Sequence, residues 1–131
     1  MKRLSVMLTL PVLAVAALVA AQQAKFDGGA DYQAFCASCH GAAGKGDGVV
    51  AASIKRRPAD LTQLARKNAG IFPLERVSKT IDDGAAKHGG SNDMPEWASV
   101  FAKSRESGNP DDVKARIDAL VKYIERIQAK S

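Results

Sequence analysis

Two thiols three positions apart, followed at once by an imidazole, are the side chains in this sequence best suited to do chemistry. Residues 36–40 read Cys-Ala-Ser-Cys-His. C-x-x-C-H is the pattern of covalent haem attachment. Thiols one helical turn apart can each add to a vinyl group of the haem, and the adjacent His40 is then held on one face of the ring, where its imidazole can ligate iron. A thioredoxin-like redox pair is the other use of C-x-x-C, but it needs a βαβ context that this sequence lacks. A structural zinc site needs two further ligands, and Cys36 and Cys39 are the only cysteines. The same count excludes a multi-disulfide scaffold.

With His40 on one side of the iron, the candidates for the other side are Met94 and His88. Met94 lies in the polar segment Asn92-Asp93-Met94-Pro95-Glu96-Trp97, after Gly89-Gly90 and before a proline that fixes the chain direction. A lone methionine is more often core filler than ligand. Here its surroundings are polar and a haem needs a ligand, so Met94 is the expected sixth ligand. His88, in Lys87-His88-Gly89-Gly90, reads as a loop residue and stands as the alternative.

These residues need elements to hold them, and the elements are helices. No run alternates apolar and polar residues for long, so strand signals are nearly absent. The clearest helix is the last. Asn109 caps it, Pro110 suits its first position, and Asp111 and Asp112 favour the positive end of its dipole. Val113, Ile117, Leu120, Val121, Ile124 and Ile127 then recur at helical spacing, with Lys114, Arg116, Asp118, Lys122 and Glu125 on the other face. This predicts an amphipathic helix of about 30 Å ending near Lys130. Three shorter helices are expected before it. One runs near Ala30–Ser38, carrying Tyr32 and Phe35 into the cysteine motif. A second starts at Asp60, with Gln63 in a capping-box position, and stops at Gly70. A third starts at Pro73, with Leu74, Val77 and Ile81 on one face, and ends at Gly84. Residues 41–58 and 84–94, rich in Gly and polar residues, read as loops.

The chain has 131 residues, one domain's length, and a net charge of +5. There is no block of like charges and no Arg-rich stripe, so a nucleic-acid partner is not expected. Aromatic residues are few: Phe26, Tyr32, Phe35, Phe72, Trp97, Phe101 and Tyr123. A small all-α domain so poor in aromatics, with long loops between short helices, needs something else to fill its core. The first residues differ from the rest. Lys2 and Arg3 precede an uncharged run from Leu4 to Ala21 that ends in Val19-Ala20-Ala21, small residues at signal-peptidase spacing. The competing reading is a retained anchor, since the run approaches the roughly 20 residues that span a bilayer. Pro11, Ser5 and Thr9 weaken an anchor. The expected division is a cleaved signal peptide over 1–21 and an exported, periplasmic domain over 22–131. Cleavage removes Met1 and Met7 and leaves Met94 as the sole methionine.

Over about residues 26–128 the chain resembles a class I c-type cytochrome, the small, soluble, mono-haem bacterial kind with His/Met ligation. The matching features are Cys36-Ala-Ser-Cys39-His40-Gly41, Arg57-Pro58-Ala59-Asp60-Leu61-Thr62, Met94-Pro95-Glu96-Trp97 and the final helix. The resemblance implies the cytochrome c fold, about four to five short helices wrapped around one covalently bound haem c with its iron. It implies that the Pro58 carbonyl accepts the Nδ1–H of His40, which fixes the tautomer and raises ligand basicity. It also implies that the first and last helices cross, with Gly28, Tyr32, Leu120 and Tyr123 at the crossing. Weaker assignments follow. Trp97 would pack on the haem edge with its N–H toward a propionate, against an ordinary core tryptophan. Arg57, with Arg56, would pair with propionates, against solvated surface charge. Lys45, Lys55, Lys87 and Lys103 would ring an exposed haem edge and steer an acidic partner, against a merely solubilising role.

The expected function is electron transfer on haem c with His40 and Met94 as axial ligands, between protein redox partners, and not catalysis. Iron with both axial positions filled leaves no place for a substrate, and a soft thioether raises the potential by favouring ferrous iron. Two rivals stand beside it: a cytochrome subunit of a larger periplasmic dehydrogenase or oxidase, and a haem enzyme or gas sensor with a displaceable sixth ligand. A membrane contact is expected only if the leading segment is retained. N-terminal sequencing of the native protein should start at Gln22; a start at Met1 in the membrane fraction would establish an anchor instead.

Overall fold

The computed structural model describes residues 25–130, so the expected signal peptide lies outside the described residues. Among the described residues there is no strand, and no helix is long and apolar enough to cross a membrane. Five α-helices follow one another: α1 (Gly28–Asp31), α2 (Ala37–His40), α3 (Leu74–Asp83), α4 (Trp97–Ala102) and α5 (Pro110–Arg126).

The first helical stretch is continuous from Gly28 to His40, with a π-helical turn over Tyr32–Cys36 between α1 and α2. Asp27 caps it by accepting from the amides of Gly29 and Ala30 at 2.8 and 3.2 Å. The π-turn inserts a residue just ahead of the haem motif, changing the face that Cys36 presents relative to α1; such bulges are frequent at functional sites. Gly28 crosses α5 so closely that a Cβ would overlap the Ala119 carbonyl oxygen and lie 2.9 Å from the Leu120 nitrogen. One turn on, Tyr32 is fully buried and meets Tyr123 with ring centroids 4.9 Å apart. The structure thus forms the expected crossing, with Gly28, Tyr32, Leu120 and Tyr123 in it. Val77 and Ile81 of α3, Phe101 of α4, and Val113, Ile117, Leu120, Val121 and Ile124 of α5 complete the core.

Two expected helices differ. Helix α5 ends at Arg126, not near Lys130. Residues 60–70 form no α-helix but two 3-10 turns, Leu61–Gln63 and Arg66–Asn68. The cause is visible in the hydrogen bonds. Asp60 spends its side chain on the Thr62 amide (3.0 Å) and hydroxyl (2.6 Å), so the capping box to Gln63 does not close. The helical pair that would follow, the Leu61 carbonyl and the Ala65 amide, is held apart by Gln128. Its Nε2 donates to the Leu61 carbonyl at 2.7 Å and its Oε1 accepts from the Ala65 amide at 2.9 Å. The Gln128 Nε2 also donates to the Ile124 carbonyl (2.8 Å) and the Ala129 amide donates to the Thr62 carbonyl (2.8 Å), which ends α5 early. Helix α4 was not expected; six residues are too few for a helical period to show.

Arg116 reads as a surface charge in the sequence but is 3 % exposed. It lies three residues after Val113 and four before Leu120, within the buried face. Its guanidinium grips Asp31 in a fork, Nη2 to Oδ1 at 2.6 Å and Nε to Oδ2 at 2.8 Å. It stacks 4.4 Å from the Phe101 ring centroid and 5.1 Å from that of Phe35. Removing one partner of a buried pair leaves the other charge uncompensated. Asp31→Leu is therefore expected to cost about 3–5 kcal/mol in denaturant unfolding, and Asp31→Leu with Arg116→Met to recover most of that loss. Equal stability of the single and double variants would show that the pair is not the source.

Candidate haem site

Helix α2 ends at His40, and the chain then runs back along it. The Gly46 amide donates to the His40 carbonyl at 2.7 Å, Gly48 to Cys39 at 3.1 Å and Val50 to Ser38 at 3.1 Å. The last carbonyls of the helix, which no intrahelical amide can reach, are thus satisfied by one loop. Gly46 has φ +74°, and a Cβ there would overlap the Pro58 carbonyl oxygen, so glycine lets two loops touch. On the helix side, the buried Tyr32 hydroxyl donates to the Gly41 carbonyl at 2.7 Å. Burial, with lesser effects of Cys36, Tyr123 and Asp47, pushes that phenol's pKa upward, so it stays protonated and donating.

His40 Nδ1 lies 3.0 Å from the carbonyl oxygen of Ala59. A carbonyl only accepts, so the proton sits on Nδ1 and the lone pair on Nε2. The acceptor is therefore Ala59 and not Pro58. Successive carbonyls of an extended segment point to opposite sides; that of Pro58 faces Gly46, and the next one faces the imidazole. Burial lowers the pKa of His40, against a smaller upward pull from the Ala59 bond, which favours the neutral imidazole that a metal ligand requires.

The two cysteines are not joined to each other, and both are half-buried. Burial first, then the charges of Asp31 and Cys39, pushes the Cys36 thiol up to about 12. Cys36, Leu61, Leu64, Phe72, Met94 and Trp97 are all partly buried and pack against one core. These are apolar side chains, one of the two motif thiols among them, left incompletely covered against that core. A flat apolar macrocycle with two vinyl groups and an iron fits that set. Among the described residues no three His, Cys, Asp or Glu side chains gather to hold a bare metal ion.

Met94 sits between α3 and α4, its carbonyl backed by Gly84, where a Cβ would come within 3.1 Å. Its loop is braced by Lys87, paired with Glu96 at 3.0 Å and Asp83 at 3.9 Å, and by His88 at 3.5 Å from Asp83. Lys87 is thus ion-paired. Trp97 packs edge-on to Phe35 at 5.7 Å and tilted to Phe101 at 5.6 Å. Arg56 donates to the Gly89 carbonyl at 2.8 Å and Arg57 to the Gly46 carbonyl at 3.4 Å, so both tie loops together. Three residues that shape the site escaped the sequence reading. Ala59 carries no side-chain signal. Gln128 looked like part of the helix end. Asp31 sits one turn ahead of Phe35 with no partner in sequence.

A comparison with curated proteins gave no match, and one with solved structures gave none. A family model did match: cytochrome c oxidase, cbb3-type, subunit III, over residues 23–124. That span takes in both thiols, His40, the Ala59 segment, Met94 and most of α5. The chain belongs to this c-type cytochrome family, whose members carry electrons on a covalently bound haem c.

Proposed function

We propose that the chain passes single electrons between protein redox partners in the periplasm, as the domain over 22–131 left by cleavage of 1–21. Cys36 and Cys39 would hold the haem, and His40 Nε2 and Met94 Sδ would ligate its iron. The observation that carries this reading is the 3.0 Å approach of His40 Nδ1 to the Ala59 carbonyl, which assigns the proton to Nδ1 and leaves the Nε2 lone pair for a metal. When bound, the haem iron supplies the ferric/ferrous couple. The protein's residues do the rest. Each thiol would add its S–H across one vinyl group, with no net oxidation. Ala59 orients the imidazole and strengthens it as a donor. Met94 contributes a soft sulfur that favours the ferrous state. Trp97 is proposed against the haem edge, and Arg57 near a propionate while it also holds Gly46. The exposed Lys45, Lys55 and Lys103 suit an acidic partner surface.

The family description favours a second reading, a cytochrome subunit within a larger oxidase. Native mass measurement separates the two: a lone particle near the chain mass supports the carrier, and co-purification with stoichiometric partners supports the subunit.

Attachment is tested by acid–acetone extraction and mass spectrometry. The denatured chain should keep its colour and weigh one haem more than the polypeptide. Either cysteine changed to Ser should leave a single link and poor maturation. Haem lost on extraction would remove the thioether assignment.

Axial ligation is tested at Met94. Ligand choice moves haem potentials over about 0.8 V. Met94→His should lower the midpoint potential by roughly a few tenths of a volt, because imidazole favours ferric iron. Met94→Ala should give a high-spin ferric protein that binds small ligands the wild type excludes. His88→Ala should leave spectrum and potential unchanged. If His88→Ala opens the site and the wild type lacks a near-infrared sulfur-to-iron band, the sixth ligand is His88.

A further inference from the structure

We infer that Lys87 is a positioning residue for Met94, an ionic clasp across the base of the loop that carries it; the inference rests on the ligation proposed above. The loop runs from Gly84, after α3, to Glu96, before α4, and its two halves are held differently. The first half is secured by backbone. Residues Ala85–His88 form a 3-10 turn, and the Gly89 and Gly90 amides close it onto the Ala86 and Ala85 carbonyls at 3.4 and 2.7 Å. Arg56 adds its bond to the Gly89 carbonyl at 2.8 Å. The second half, which holds Met94, has no such anchor. Its hydrogen bonds ahead of α4 join only Ser91 and Asp93 to each other. Among the described residues, the one polar link between the halves is Lys87 Nζ on Glu96 Oε1 at 3.0 Å.

The clasp acts where the halves touch. A Cβ on Gly84 would meet the Met94 carbonyl oxygen at 3.1 Å and the Glu96 nitrogen at 3.4 Å, so the segment leaving the proposed ligand passes over the residue that follows α3. Asp83 precedes Gly84, and Lys87 reaches it at 3.9 Å while it holds Glu96. One ammonium thus serves two carboxylates, one on each side of the Gly84–Met94 contact. His88, 3.5 Å from Asp83, reaches only the first of them. Glu96 occupies the N-cap of α4, yet its side chain makes no cap bond and is turned to Lys87 instead. Without the ammonium, Asp83 and Glu96 are like charges with nothing between the halves to offset them. The second half can then lift, and Met94, two residues before Glu96, moves with it. Packing of Met94 and Trp97 on the core opposes this, so the effect is graded. Because the pair is exposed, salt screens it.

The probe is imidazole, a small neutral donor that can take the sixth position only when Met94 leaves it. It is titrated into the ferric holoprotein at one pH above its own pKa and followed by loss of the sulfur-to-iron near-infrared band. In dilute buffer Lys87→Met should bind imidazole about two- to fivefold more tightly than the wild type, the range of an exposed ion pair. Lys87→Glu, which adds repulsion, should exceed Lys87→Met, and Lys87→Arg should match the wild type. At about 1 M salt, where charges are screened beyond about 3 Å, the wild type should rise to the Lys87→Met value, which itself stays put. Lys79→Met is the control. It removes the same charge and a similar exposed pair, with Glu75 at 3.0 Å, that lies wholly within α3. It should bind imidazole as the wild type does. A Lys87→Met protein that binds imidazole no more tightly than Lys79→Met, or a wild type whose imidazole affinity ignores salt, overturns the inference. A ferric wild type without the near-infrared band overturns the ligation reading and this inference with it, and shows that before any imidazole is added.

Discussion

The bond from His40 Nδ1 to the Ala59 carbonyl joins two stretches of chain nineteen residues apart in sequence. One is a helix end, fixed by its own backbone bonds. The other is a loop segment with little secondary structure. The contact requires the intervening loop to fold back, and that return is made possible by Gly46, which admits the Pro58 carbonyl at backbone distance. The turns after Ala59 are also tied to the far end of α5 through Gln128 and Ala129. Gly28 brings the first helix against α5, and the residues just past α5 bond to the turns that follow Ala59.

The core around this arrangement is small and uses charge where a larger protein would use bulk. Its fully buried large side chains are Tyr32, Phe101 and Leu120. The Arg116 guanidinium lies among Phe26, Phe35 and Phe101, with its charge answered by Asp31. Phe35 is the residue before Cys36 and touches Trp97. The ion pair is thus continuous, through one ring, with the side chains left half-covered for the haem. A buried pair is weak evidence for stability in itself. Its geometric consequence is definite: the fork fixes the rotation of α1 against α5, and with it the direction in which the π-turn delivers Cys36.

How far the sequence could be read follows from the range of the interactions. The last helix carries its own cap, proline and apolar period, so its start at Asn109–Pro110 was legible residue by residue. The haem motif was legible because its chemistry is contained in five consecutive positions. Helix α4 was not, being shorter than two turns. The replacement of an α-helix by two 3-10 turns over 61–68 was illegible for a different reason: locally those residues favour an α-helix, and the side chain that takes the Leu61 carbonyl and the Ala65 amide lies at position 128. The acceptor of His40 was misplaced by one residue, because which carbonyl faces the imidazole depends on the register of the segment against Gly46. Arg116 was misread because charge suggested solvent, although its spacing from Val113 and Leu120 placed it inside.

The two proposed axial ligands are held by unlike means. On the His40 side the restraints are backbone hydrogen bonds, a buried phenol and close glycine contacts, none of which salt weakens. On the Met94 side the loop is braced by pairs of Lys87 with Glu96 and Asp83, whose side chains are about half exposed. Exposed pairs contribute about 0–1 kcal/mol and are screened by ions. Backbone restraint there comes from Gly84 behind the Met94 carbonyl, the Arg56–Gly89 bond and the Gly90 amide on the Ala85 carbonyl at 2.7 Å, all short-range or single contacts. Loosening of the site therefore begins at the methionine. The restraints on the imidazole and the attachment helix lie elsewhere, so loss of the proposed Met94 ligation is expected to precede loss of the fold.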